Sequence, residues 1–159
     1  MVIHVVAVGR ITDAGLRGLC DDYAARLRRS LRLELREVRA APGRALPAIR
    51  LRSEADRLLA ALPPGARVVA LTRAGRAESS PGFARRLAGW RRDGRDVAFV
   101  IGGAFGLDRS VLDRSETRLS LSAMTLPHEL ARAVLLEQLY RATTILAGTP
   151  YHKGPAEVS

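Results

Sequence analysis

The C-terminal third of the chain constrains the fold most. An uninterrupted apolar run, Val97–Ile101, ends in Gly102-Gly103 and continues through Ala104, Phe105, Gly106 and Leu107. A second short strand is predicted over 118–121. It opens into Leu121-Ser122-Ala123-Met124-Thr125-Leu126, and Pro127-His128 then starts a long apolar helix. A short, wholly apolar run marks a strand buried on both faces. Two strands ending in small, backbone-rich loops imply a cofactor pocket at strand C-termini, made from main-chain groups rather than charged side chains. The familiar nucleotide signatures are missing. The glycines do not spell G-x-G-x-x-G, and no Lys-Ser/Thr pair follows a glycine.

The rest of the chain alternates strand and helix. Val2–Val8 is an apolar run closed by Gly9, and the spacing of Leu16, Leu19, Tyr23 and Leu27 predicts a helix over 14–29. Strict alternation over 31–36 predicts a half-exposed strand. A helix over 48–62 is closed by Pro63-Pro64-Gly65, and a third buried strand follows over 67–72. Ser79-Ser80-Pro81 offers a cap and an early proline for a helix through Arg91. After strand 97–101 come a short helix near 108–115, the strand over 118–121 and a helix over 127–146. This order predicts one α/β domain over 1–159, with a mostly parallel sheet covered on both faces.

The 159 residues carry a formal net charge of +10, and Lys153 is the only lysine. That excess favours a polyanionic partner, RNA or DNA ahead of a membrane surface, and arginine forks fit phosphate. The arginines of the first two helices, among them Arg17, Arg28, Arg29 and Arg50, are either phosphate contacts or solvated faces. Cys20 is alone, so neither a disulfide framework nor a metal set is expected. The first residues read as a strand rather than a signal peptide, and no apolar run is long enough for a membrane span. The expected location is cytoplasmic. The last helix is apolar around much of its circumference through Leu130, Val134, Leu135, Leu136, Leu139, Tyr140, Ile145 and Leu146. It is therefore expected to be covered on two sides, one of them by a second subunit.

Several residues carry possible chemistry, each with a plainer alternative. His128 opens a helix, where the dipole disfavours a protonated imidazole, and a neutral imidazole accepts a proton. The alternative is a helix-start histidine beside solvated Arg132 and Arg141. Tyr151-His152-Lys153 is either an aromatic, basic clamp for a base or phosphate, or a solvated tail. Gly102-Gly103 is either a pocket wall or a tight turn. Residues 121–126 either line that pocket or fill the core, with Ser122 and Thr125 capping the helix that follows.

The order of these elements is more specific than any one of them. Val6-Ala7-Val8-Gly9 comes first. Gly94-Arg95-Asp96-Val97 then leads to Ile101-Gly102-Gly103 and Gly106-Leu107. Next come Leu121 through Pro127-His128, Glu137-Gln138-Leu139-Tyr140-Arg141-Ala142 and Tyr151-His152-Lys153. In this order the chain resembles the bacterial large-subunit ribosomal RNA methyltransferase H family, a branch of the SPOUT superfamily. The match runs end to end, with its specific motifs after Gly94.

The resemblance implies an α/β fold whose C-terminal chain threads a deep trefoil knot. It implies S-adenosylmethionine as methyl donor, no metal, and an obligate homodimer. The implied reaction is methylation of N3 of a pseudouridine in 23S rRNA, on the assembled ribosome. By motif position the cofactor meets Leu71, Gly102, Leu121, Ser122, Ala123, Met124, Thr125 and Leu126. His128 orients the base or accepts its proton. Arg141 and Lys153 stabilise the developing anion or a phosphate. Tyr151 and His152 position the base, from the same chain or from a partner. The chain departs from the family at Thr72-Arg73-Ala74-Gly75-Arg76, where an acidic residue and a Gly-Lys pair are commoner. It also adds residues 154–159, an extension expected to be flexible. Two other readings stay open: a knotted methyltransferase acting on tRNA or another rRNA site, and a non-catalytic ribosome- or RNA-binding factor.

Overall fold

A computed structural model describes residues 1–152, though not the His152 side chain. Lys153 and the extension 154–159 lie outside the described residues. Five strands, β1 (Val2–Val8), β2 (Arg32–Val38), β3 (Arg67–Ala77), β4 (Val97–Ile101) and β5 (Thr117–Ser120), form one sheet in the order β2-β1-β4-β3-β5. Every pairing is parallel. The helices are α1 (Ala14–Leu27), α2 (Pro47–Ala61), α3 (Ser80–Asp93), α4 (Arg109–Arg114) and α5 (His128–Ala147), followed by a 3-10 turn, Pro150–His152. Among the described residues no helix is long and apolar enough to cross a membrane.

The period-two alternation of the central strands decides which helices cover which face. Ile3, Val5, Ala7, Val97, Phe99 and Ile101 point to one face and pack with α1, α3 and α5. Val6, Val8, Val68 and Val100 point to the other, under Leu58 of α2 and Val111 of α4. β1 and β4 are buried on both faces, which is why they read as continuous apolar runs. β2 is an edge strand and keeps only Leu33 buried, so its alternation is less fully used than the sequence suggests.

One expectation needs correction. The third strand does not end at 72. Leu71 and Arg76 both pair with Leu119, and the residues between them loop out before the strand resumes through Ala77. Thr72-Arg73-Ala74-Gly75 has no apolar alternation, so the sequence carried no sign of this resumption. A Cβ on Gly75 would lie 2.6 to 2.7 Å from backbone atoms of Arg118 and Leu119, so this contact needs glycine. α5 lies on the sheet between α1 and α3, which cover much of its apolar circumference, while Leu146 stays exposed.

α5 is fixed at its start by polar contacts. Glu129 accepts hydrogen bonds from Thr12 N and Oγ1 (3.1 and 2.8 Å) and from Asp13 N (3.2 Å). These bonds, led by the Thr12 amide, hold its carboxyl below the ordinary glutamate range. One turn on, Arg132 is buried. It donates to Glu37 Oε1 at 2.6 Å and to the Gly9 carbonyl at 2.8 Å, tying the helix to the C-terminal ends of β1 and β2. Removing only the carboxylate strands this guanidinium. Glu37→Ala should therefore lower the unfolding free energy by about 3 kcal/mol. Arg132→Met, which leaves the more exposed partner to water, should cost less. Urea denaturation of the two variants tests the order, and equal losses would rule out the buried charge as the cause.

Candidate active site

The segment of β3 that loops out after Leu71 and the loops after β4 and β5 meet at the C-terminal end of the sheet around a cleft of about 700 Å³. Of the expected cofactor residues, Leu71, Gly102, Leu121, Ser122, Met124, Thr125 and Leu126 line it. Ala123 belongs to the same loop but is exposed and outside the lining. His128, the first residue of α5, closes the cleft on the helix side and is half-buried. Among the described residues no carboxylate lines the cleft, and Ile101, Leu107 and Ala131 add apolar wall.

The glycines are needed here because their neighbours leave no room for a Cβ. A Cβ on Gly102 would run into the carbonyl of Gly106, and one on Gly103 would come within 2.8 Å of Glu54 Oε2. Gly106 N donates to the Gly103 carbonyl at 3.0 Å, and Gly106 has a φ of 82°. Glu54 is buried and accepts from Ala41 N at 3.0 Å, so it cannot retreat freely. The tight turn and the pocket wall are thus one structure.

The facing loop is held by its own side chains. Ser120 Oγ donates to the Ser122 carbonyl (2.9 Å), and Ser122 Oγ accepts from Met124 N (3.0 Å). Thr125 Oγ1 accepts from Arg73 Nη1 at 3.0 Å. Neither hydroxyl caps α5, whose cap position is Pro127 with no side-chain bond. The sequence reading missed Arg73, and also Phe105, an exposed cleft residue with the Arg50 guanidinium 4.9 Å from its ring centre. A lone aromatic inside a Gly-rich loop was the available sign of Phe105.

The described part of the tail lies elsewhere. Tyr151 packs edge-on against Tyr140, with ring centres 4.8 Å apart, and lies 3.0 Å from the Tyr23 hydroxyl of α1. Its own hydroxyl donates to Glu137 Oε1 at 3.3 Å. Arg141 donates to the same oxygen at 2.6 Å and lies over the Tyr151 ring at 5.2 Å. Burial first, then the Tyr23 bond and the nearby Glu137 charge, push the Tyr151 phenol far above its ordinary range, so it stays protonated. The hydrogen bond from Arg141 to Glu137 keeps the guanidinium charged. Tyr151 is therefore not a solvated tail residue. From His128 to Arg141 the helix rises roughly 20 Å. One chain thus keeps His128 apart from Arg141 and Tyr151. The expected place of His152 beside the base depends on a side chain that is not described, and Lys153 lies outside the described residues.

A ligand-sized cleft over the carboxyl edge of a parallel sheet is where open α/β folds bind their ligands. Residues 1–152 match the family described as "Predicted SPOUT methyltransferase". A ribosomal RNA large subunit methyltransferase H from Anaeromyxobacter sp. is 52% identical over 153 residues, covering 96% of this chain and all of that protein. One from Burkholderia lata is 44% identical over 156 residues, covering 96% of this chain and 99% of the relative. The chain belongs to the SPOUT methyltransferases and, within them, to the ribosomal RNA large subunit methyltransferase H family. Two solved structures share the fold. A probable methylase family protein from Haemophilus influenzae superposes with a TM-score of 0.55 at 14% identity, over 96% of this chain and 70% of that one. One from Neisseria gonorrhoeae, a putative methylase, gives 0.53 at 17% identity, over 92% and 93%.

The backbone contact at Gly102 predicts opposite signs for two Gly→Ala changes. Gly102→Ala should destabilise the protein by about 1 to 3 kcal/mol, the usual range for overpacking. Gly18→Ala, on exposed α1 with nothing within 4 Å, should stabilise it by up to about 1 kcal/mol. Thermal melts of both variants measure this. A neutral Gly102→Ala would mean the loop moves aside.

Proposed function

We propose that this chain is a 23S rRNA methyltransferase that uses S-adenosylmethionine to methylate N3 of a pseudouridine. It works as a homodimer on the assembled ribosome, in the cytoplasm, and its C-terminal chain threads a trefoil knot. The cleft carries the cofactor part of this reading. An adenosine needs apolar contact and main-chain hydrogen-bonding groups. Leu71, Leu121 and Leu126 offer the first, and the Gly102–Gly106 and 121–126 loops offer the second. The names of the close relatives support the rRNA substrate.

S-adenosylmethionine, when bound, supplies an activated methyl group. Positioning the nucleotide and removing its proton are then left to the protein. N3 lies on the pairing edge of the base, so the target must be unpaired to be reached. His128, on the cleft wall, orients the imide N–H or accepts its proton, directly or through water. Arg141, already set by Glu137, and Lys153 stabilise the developing imide anion or a neighbouring phosphate. Tyr151 and His152 position the base.

The separation along α5 supports a site shared between two chains. His128 and the Arg141–Tyr151 group stand a helix length apart in one chain, so each working site takes its cleft from one protomer and its tail from the other. Mixing makes this testable. His128→Ala and Tyr151→Ala should each be inactive alone. When refolded together they should recover about a quarter of wild-type turnover, because half the dimers then hold one intact composite site. No recovery would place the whole site within one chain.

The reaction itself is tested by transfer of radiolabelled methyl to ribosomes, deproteinised 23S rRNA and bulk tRNA, all lacking the modification. Label confined to ribosomes and mapped to a pseudouridine N3 is the expected result. Label in tRNA would overturn the substrate. Ribosome binding with no transfer would make the chain a non-catalytic factor.

A further inference from the structure

A second concavity, of about 870 Å³, runs beside α3 along the free edge of β5. Five arginines line it: Arg67, Arg76, Arg85, Arg86 and Arg92. Its carboxylates are Glu78, Asp93 and Glu116, and all are already engaged. Arg86 donates to Glu78, Arg67 to Asp93 at 2.9 Å, and Arg95 to Glu116 at 2.7 Å. The Arg95 bond holds the Glu116 carboxyl below the ordinary range, so it stays ionised and paired. Among the described residues Arg85 and Arg92 have no carboxylate within 4 Å. Arg76 only reaches Glu78 at 4.0 Å, and its side chain is 79% exposed. The groove therefore keeps three guanidiniums for an outside partner.

Its position relative to the cleft gives it a role. The segment that loops out between Leu71 and Arg76 is a shared wall. Leu71, Thr72 and Arg73 face the cleft, while Arg76 and Ala77 face the groove. Arg85 and Arg92 stand two turns apart on α3, about 10 Å along the axis. The aromatic residue of the groove, Trp90, is buried under the guanidiniums of Arg67 and Arg86, so it is not offered to a base. Free guanidinium forks without a stacking surface suit phosphate and not base edges.

We infer that the groove beside α3 holds the sugar–phosphate backbone of the rRNA strand next to the target nucleotide, and that the strand crosses the 72–77 wall to place its base in the cleft. The assignment rests on the rRNA substrate proposed above. Backbone contacts of this kind add affinity without reading sequence. The groove should therefore act on KM and leave kcat alone.

The test compares Arg85→Gln/Arg92→Gln with Arg28→Gln/Arg29→Gln, a charge-matched pair at the far end of α1. Binding to unmodified ribosomes is measured across a salt series, together with KM, kcat and the melting shift given by S-adenosylhomocysteine. The groove pair should lose about two from the log–log salt slope, one per phosphate contact. Its KM should rise with kcat and the melting shift unchanged, and the α1 pair should match wild type. A wild-type slope in the groove variant overturns the assignment. So does an equal loss in both pairs, which would reflect overall charge alone. A raised KM with an unchanged slope would overturn it as well, because a lost phosphate contact has to lower the slope. If the wild-type enzyme neither binds nor methylates ribosomes, the substrate reading falls first and takes the groove with it.

Discussion

At the carboxyl edge of the sheet, main chain packs on main chain with no side chain between. Gly102 lies against the Gly106 carbonyl, and Gly75 against the backbone of Arg118 and Leu119. These contacts bring three loops close enough to enclose one cleft. They also leave its wall made largely of peptide groups and aliphatic side chains. Such a wall recognises a ligand by shape and hydrogen bonding, not by opposing charge. That is why the chain needs none of the familiar phosphate-binding signatures.

α5 converts this local arrangement into a larger one. Its first turn is fixed to α1 by Glu129 and to the strand ends by Arg132, so His128 is held at the cleft. Its far end carries Glu137, Tyr140 and Arg141, which gather Tyr23 and Tyr151 into a closed polar and aromatic cluster. A straight helix cannot bring its two ends together. The same rigidity that positions each group keeps them apart within one chain. In the proposed site, two chains share these groups.

The charge of the molecule is likewise sorted by tertiary structure. In the sequence, the arginines of the first two helices and those of α3 are equivalent. In the fold, the concave basic surface forms beside α3, because the carboxylates there are neutralised by Arg67, Arg86 and Arg95 while Arg76, Arg85 and Arg92 are left over. Which arginines are spare depends on which carboxylates lie within about 4 Å, and that is a property of packing.

Strand and helix order, the two-faced burial of β1 and β4, the Gly102 loop and the 121–126 loop were all legible in the sequence. Each is a local pattern: apolar runs, helical spacing, caps and glycines where the chain must turn. Family membership was legible for the same reason, since motif order is itself sequence. The resumption of β3 after Leu71, the stacking of Arg50 on Phe105, the covering of α5 by α1 and α3, and the distance between His128 and Tyr151 were not. Each depends on residues far apart in the chain meeting in space, and neither periodicity nor composition records such meetings. The sequence by itself determined the elements and the chemistry they can carry. Only the tertiary structure decided which of those groups share a site, because hydrogen bonds and packing act over a few ångströms of space, whatever their separation along the chain.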